Sequence, residues 1–138
     1  MWRTLPDFRA FTQHRGMETI TAAAVAAWVG RYEHAWRTND PTDIGALFAA
    51  DGEYHEEPYS THWLGRDAIV EGWRGRWGWQ QGGWEFTWTL RAIDGATATI
   101  DGTGTYAELG VFDNQWTVTF DGEGRCTRFH MINNERAG

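Results

Sequence analysis

Glu53-Tyr54-His55-Glu56-Glu57-Pro58 brings three carboxylates, an imidazole and a phenol into six residues. In an extended segment side chains alternate faces, so Tyr54 and Glu56 share one face and Glu53, His55 and Glu57 the other. A carboxylate enclosed by aromatic rings loses hydration, its pKa rises, and it becomes a general base near neutral pH. Glu56 is favoured for that role, because Tyr54 is the better cavity wall and the other face carries three groups suited to water. The competing reading is a charge-rich strand at a rim, with every carboxylate solvated.

Histidines supply the alternative bases. His55 belongs to the same strand, His62 to the loop that follows, and His130 to the last strand, where Phe129 and Met131 form the apolar face and turn His130 outward. His34 reads as a surface residue. A metal site from His55, Glu57 and His62 matches no standard spacing, and Pro58 excludes the helical H-E-x-x-H arrangement. No metal and no other cofactor is expected.

Composition narrows the classes further. The chain has 138 residues, 41% apolar and 22% charged, which fits one domain over 17–138 preceded by a tail or start-site extension over 1–16. No stretch approaches the roughly 20 apolar residues of a membrane span and no secretory signal is evident, so a cytoplasmic protein without membrane contact is expected. The net charge is −7 and all 12 basic residues are arginine. Nucleic-acid binding through phosphates is therefore not expected, and lysine chemistry is absent. Cys126 is single, so no internal disulfide forms. Ten tryptophans imply large apolar walls. Trp28, Trp36, Trp73, Trp84, Trp88 and Trp116 recur at core spacing, and whether they fill the interior or surround a slot is left open by the sequence.

The elements that must position these groups follow from periodicity. Val25, Trp28, Val29, Tyr32, Ala35 and Trp36 mark one face of a helix over 22–37. Asp40, Pro41 and Asp43 start a second, short helix through Phe48, ended by Asp51-Gly52. A strand over 53–57, a loop, and a third helix over 66–77 come next. Period-two alternation then predicts four strands joined by tight turns, over 84–92, 97–108, 114–120 and 125–133. Helices followed by a meander define an α+β class with a curved antiparallel sheet covered on one face.

Arg31-Tyr32, Asn39-Asp40, Ala46-Leu47-Phe48-Ala49, Pro58-Tyr59, Gly65-Arg66-Asp67-Ala68-Ile69 and Trp116 to Phe120 with its Asp121-Gly122 turn stand in the order of a known fold. Over about residues 21–134 the chain resembles the nuclear-transport-factor-2-like superfamily, within it the SnoaL-like and ketosteroid-isomerase-like small proteins. The resemblance implies a cone with three helices from the N-terminal half on its concave face, a pocket opening between sheet and helices, and a homodimer through the outer sheet face. It also implies catalytic candidates. Tyr32 matches the tyrosine that donates to the substrate oxygen. Spacing from Tyr32 places Glu56 at the proton-shuttling acid, whereas alignment on the proline places Glu57 there; His55 is weighed because related dehydratases pair a histidine with a carboxylate. The second acid of the isomerase corresponds to Trp116, an indole that donates one hydrogen bond but cannot ionise.

The expectation is a pocket for a small, apolar, oxygen-bearing molecule. Its walls would be Tyr54, Trp28, Trp36, Trp73, Trp88, Trp116, Phe129 and Met131. If catalysis occurs, it is cofactor-free proton transfer with Glu56 as base, Tyr32 as oxyanion donor and Trp116 as an auxiliary donor. The alternative is a non-catalytic ligand-binding or dimerisation module of the same fold.

Overall fold

Thr21 starts the first helix by accepting a hydrogen bond from the Ala24 N–H at 3.0 Å, satisfying a donor that the first turn leaves free. The computed structural model describes residues 19–136, so the tail expected over 1–16 lies outside the described residues. Helix α1 spans Ala22–Thr38 and buries the stripe read from the sequence, from Val25 to Trp36. It stops where Asn39 turns left-handed, at φ 56°, and returns its N–H to the Ala35 carbonyl. Asp40 then caps α2, Pro41–Gly45, by accepting from the Thr42 and Asp43 N–H groups.

Strand β1 is Phe48–Glu57 and β2 is Thr61–Leu64, and helix α3 runs Arg66–Arg74 before a single 3-10 turn at Trp77–Gln80. The meander follows as β3 Trp84–Asp94, β4 Thr97–Tyr106, β5 Gly110–Phe120 and β6 Cys126–Glu135. Two local readings change. Asp51-Gly52 lies inside β1, where the register with β6 shifts between Phe48 and Glu53, instead of ending α2. Residues expected as a loop after Tyr59 form β2, paired antiparallel with β1 from Glu53↔Leu64 to Glu56↔Thr61.

The six strands form one curved, unclosed sheet in the order β2-β1-β6-β5-β4-β3. The α+β class holds, with a correction to the pairing: β1 and β6 are parallel, so the sheet is mixed. The reason is topological. The four meander strands alternate direction, and the returning β6 meets the one free edge of β1 while running the same way.

The helices cover the concave face through aromatic packing. Trp28 meets Phe120 edge-on at 5.5 Å and donates its indole N–H to the Leu47 carbonyl; Trp73 meets Tyr32 at 4.8 Å and Trp36 at 5.3 Å. Gly72 in α3 lies under the Trp63 ring, and a Cβ there would fall 2.4 Å from it. Trp63 is itself stacked on Tyr54 at 5.1 Å and carries the Arg76 guanidinium 4.5 Å above its ring, so it has little freedom to retreat. Gly72→Ala is therefore expected to destabilise by about 1–3 kcal/mol, the clash outweighing the helix-propensity gain of about 1 kcal/mol. Urea unfolding measures it; a stabilised variant would show that Trp63 moves away freely.

Candidate active site

Alternation along β1 turns Tyr54 and Glu56 toward the helices and leaves Glu53, His55 and Glu57 on the convex face. Tyr54 and Glu56 look into a cavity of about 460 Å³ between α1, the turn after α3 and the concave sheet. Of the residues expected around a pocket, Tyr32, Trp36, Tyr54, Glu56, Trp116 and Met131 line it. Trp28, Trp73 and Phe129 do not. They are packed behind its wall, where Phe129 is sandwiched against Tyr54 at 4.7 Å and Tyr32 at 5.7 Å. Trp88 is also outside the lining; it lies farther along β3 than Trp84 and Phe86, which do line the cavity. The tryptophans thus frame a space without filling it.

Two candidates fall on the other side of the sheet. His55 pairs across strands with His62 and His130, and its Nδ1 lies 2.8 Å from Nδ1 of His62 while Nε2 meets Glu53 Oε1 at 2.8 Å. Glu57 Oε2 lies 2.8 Å from His130 Nε2. A one-residue step along a strand separates these groups from the cavity by the thickness of the sheet, so neither His55 nor Glu57 meets a molecule bound beside Glu56.

Glu56 is 4% exposed. Its Oε2 accepts from the Tyr54 hydroxyl at 2.9 Å and from Arg76 Nη1 at 2.9 Å, while Oε1 is buried with no protein partner among the described residues. Arg76 reaches in from the turn after α3, donates Nη2 to Thr61 Oγ1 at 3.1 Å, and lies between the rings of Trp63 and Trp79 at 4.5 and 4.4 Å. Burial works against the Arg76 charge, but the hydrogen bond to Glu56 and the surrounding negative field outweigh it and hold its pKa above the usual value. Sequence reading missed Arg76 and Thr61. The signal available was a pair of arginines, Arg74 and Arg76, amid Trp73, Trp77 and Trp79, which suits cation–π stacking but names neither the arginine that turns inward nor its carboxylate.

Trp116 also departs from expectation. Its indole N–H donates to Asn114 Oδ1 at 3.0 Å, so it serves as a wall and is spent as an auxiliary donor.

Tyrosines complete the polar set. Burial pushes the Tyr32 hydroxyl far above its ordinary value, with the neighbouring Tyr54 hydroxyl opposing the shift and the Glu56 charge adding to it. Burial likewise raises Tyr54, and pushes Tyr106 up to about 12 against an opposing contribution from Trp36. All three keep their protons at pH values where the unfolded chain, with tyrosines near 10.0, has begun to lose them. The folded state then binds more protons than the unfolded one, and stability falls as pH rises above that value. At about pH 11 the native protein is expected to lack the tyrosinate absorbance of these three residues, which appears on unfolding. Their full ionisation in the folded protein would contradict the buried placement.

Residues 29–136 match the SnoaL-like domain. The chain belongs to the SnoaL-like family. Solved structures agree on the fold. A cystatin-like-fold protein of unknown function from Methylobium petroleophilum PM1 is 20% identical with a TM-score of 0.66, over 87% of this chain and 82% of its own. A steroid delta-isomerase from Pseudomonas aeruginosa is 15% identical with a TM-score of 0.61, over 86% and 85%. An epoxide hydrolase of the LEH-like type from M. tuberculosis is 19% identical with a TM-score of 0.60, over 81% and 84%. At these identities the likeness is one of fold, which in the SnoaL-like scaffold is compatible with different chemistries. No curated protein matches the chain significantly. Among the described residues no helix is long and apolar enough to cross a membrane.

Proposed function

We propose that this SnoaL-like protein binds a small, flat, largely apolar carbonyl compound and moves a proton on it without a cofactor, as an isomerase, dehydratase or cyclase does. The observation that carries this is Glu56, whose side chain lines the aromatic cavity: one carboxylate oxygen is clamped by Tyr54 and Arg76, and the other is buried with no partner among the described residues. A buried acceptor without a donor is costly, and taking up a proton removes that cost.

In this mechanism the Glu56 carboxylate takes a proton from the carbon beside the carbonyl. The C–H electron pair moves into the adjacent bond, and charge develops on the carbonyl oxygen. Tyr32, kept protonated by burial, donates a hydrogen bond to that oxygen. The Glu56 carboxyl then returns the proton to the same or a conjugated carbon, so no oxidant or reductant is consumed. Arg76, donating to Oε2 at 2.9 Å, fixes the orientation of the carboxylate.

The test uses 2-tetralone, a flat ketone with acidic hydrogens beside its carbonyl. Saturable quenching of tryptophan fluorescence and protein-dependent exchange of those hydrogens for deuterium, followed by NMR, support the reading. Quenching without exchange supports a second one, a non-catalytic binding module. Trp116 favours that alternative, since the position where the isomerase resemblance calls for a second acid holds an indole already bonded to Asn114. Absence of quenching counts against both. Association through the outer sheet face belongs to the same proposal, supported by Leu64 and Ile132, which are exposed there at 66% and 41%.

A further inference from the structure

Strands β5 and β6 carry a polar chain with a fixed direction. The Trp116 indole nitrogen can only donate, so the Asn114 atom 3.0 Å away is the amide oxygen and the other is the amide nitrogen. Asn114 Nδ2 then donates to Asn133 Oδ1 at 3.1 Å, which makes the remaining Asn133 atom a nitrogen as well. That Nδ2 donates to the Tyr59 hydroxyl oxygen at 3.2 Å. One donor-only group thereby settles the orientation of two amides that are otherwise interchangeable in shape. Each residue donates one hydrogen to the next until Tyr59, whose own hydroxyl hydrogen has no acceptor among the described residues. All four side chains line the cavity, and Tyr59 is 42% exposed just beyond the end of β1.

We propose that Tyr59 is a specificity-determining donor at the cavity mouth, aimed by the Trp116–Asn114–Asn133 relay, and that the ligand carries a second acceptor oxygen to meet it. This rests on the reading of the cavity as a ligand site and adds the substrate class: a bifunctional compound, with the reacting carbonyl at Glu56 and Tyr32 and another carbonyl-type oxygen toward the mouth. A compound with no acceptor atom at that end leaves the Tyr59 hydrogen to water. Cooperative polarisation along the relay strengthens the terminal donor.

The experiment compares dissociation constants, by tryptophan fluorescence, for 2-tetralone and for 6-acetyl-2-tetralone, which adds a second carbonyl across the ring. Wild type is expected to prefer the diketone by about 3- to 10-fold, the range of one hydrogen bond between neutral groups. Tyr59→Phe removes only the hydroxyl and is expected to erase the preference, the diketone and 2-tetralone then binding that variant equally. Asn133→Asp keeps the tyrosine but reverses the relay: one carboxylate oxygen still accepts from Asn114, and the other now accepts the Tyr59 hydrogen. It too is expected to erase the preference, an outcome that a merely structural role for Tyr59 does not give. Thermal melts check that both variants are folded. Absence of preference in wild type, or its survival in either variant, overturns this inference while 2-tetralone binding keeps the cavity reading intact. Failure of wild type to bind 2-tetralone overturns the cavity reading and this inference with it.

Discussion

Glu56→Gln is expected to slow deuterium exchange into bound 2-tetralone by at least ~100-fold, the low end of what a positioned general base contributes. The substitution is nearly isosteric. The amide oxygen can still accept from Tyr54 and Arg76, so the cavity keeps its shape and the ketone still quenches fluorescence. What is lost is the lone pair that receives a proton, since an amide is not a base near neutral pH. Binding retained with exchange lost assigns the chemistry to Glu56. Exchange within a few-fold of wild type would remove Glu56 from the mechanism and leave the cavity as a binding site only. Tyr32→Phe should reduce exchange less, because it removes one donor and leaves the base in place.

Arg76→Met is expected to cost about 3–5 kcal/mol in folding free energy at neutral pH, the penalty for breaking a buried ion pair from one side. Methionine preserves much of the length and the contact with Trp63 and Trp79, so the loss isolates the guanidinium. The carboxylate it leaves behind is 4% exposed and keeps only the Tyr54 hydroxyl. One comparison separates this cause from lost packing. Combining Arg76→Met with Glu56→Gln should recover a large part of the stability, because the orphaned charge is gone. A penalty that persists unchanged in the double variant would mean that Arg76 acts through its stacking alone.

Local signals carried much of the architecture. The apolar stripe from Val25 to Trp36, the Asp40–Pro41 start and the alternation from Trp84 to Phe120 are short-range patterns, each fixed within a few turns or pleats, and α1, the start of α2 and the meander formed where they indicated, while α2 ended at Gly45, short of the expected Phe48. Alternation also grouped Tyr54 with Glu56 and separated both from His55 and Glu57. The face preference for that strand came from a physical argument, that an aromatic ring makes a better wall than three polar groups.

Pairings between distant segments left no such trace. Nothing local distinguishes a strand that will lie parallel to another some 70 residues away, so β1 and β6 were misjudged as part of a purely antiparallel sheet. β2 is only four residues long, too short for periodicity to register. Periodicity likewise identified Trp28, Trp73 and Phe129 as apolar and inward, but an inward residue can face a cavity or the packing behind it. Only the curvature of the sheet decided which.

Residue types and periods thus determined that this chain makes an aromatic α+β domain with a carboxylate and a tyrosine on inward faces. Tertiary structure decided what those groups meet. Arg76 comes to Glu56 from 20 residues along the chain, through the turn after α3, and Thr61 stands opposite Glu56 as its cross-strand partner and accepts from the same guanidinium. The state of a buried charge depends on its partners within a few ångströms, and those are set by how elements cross in space, which no single segment of sequence encodes.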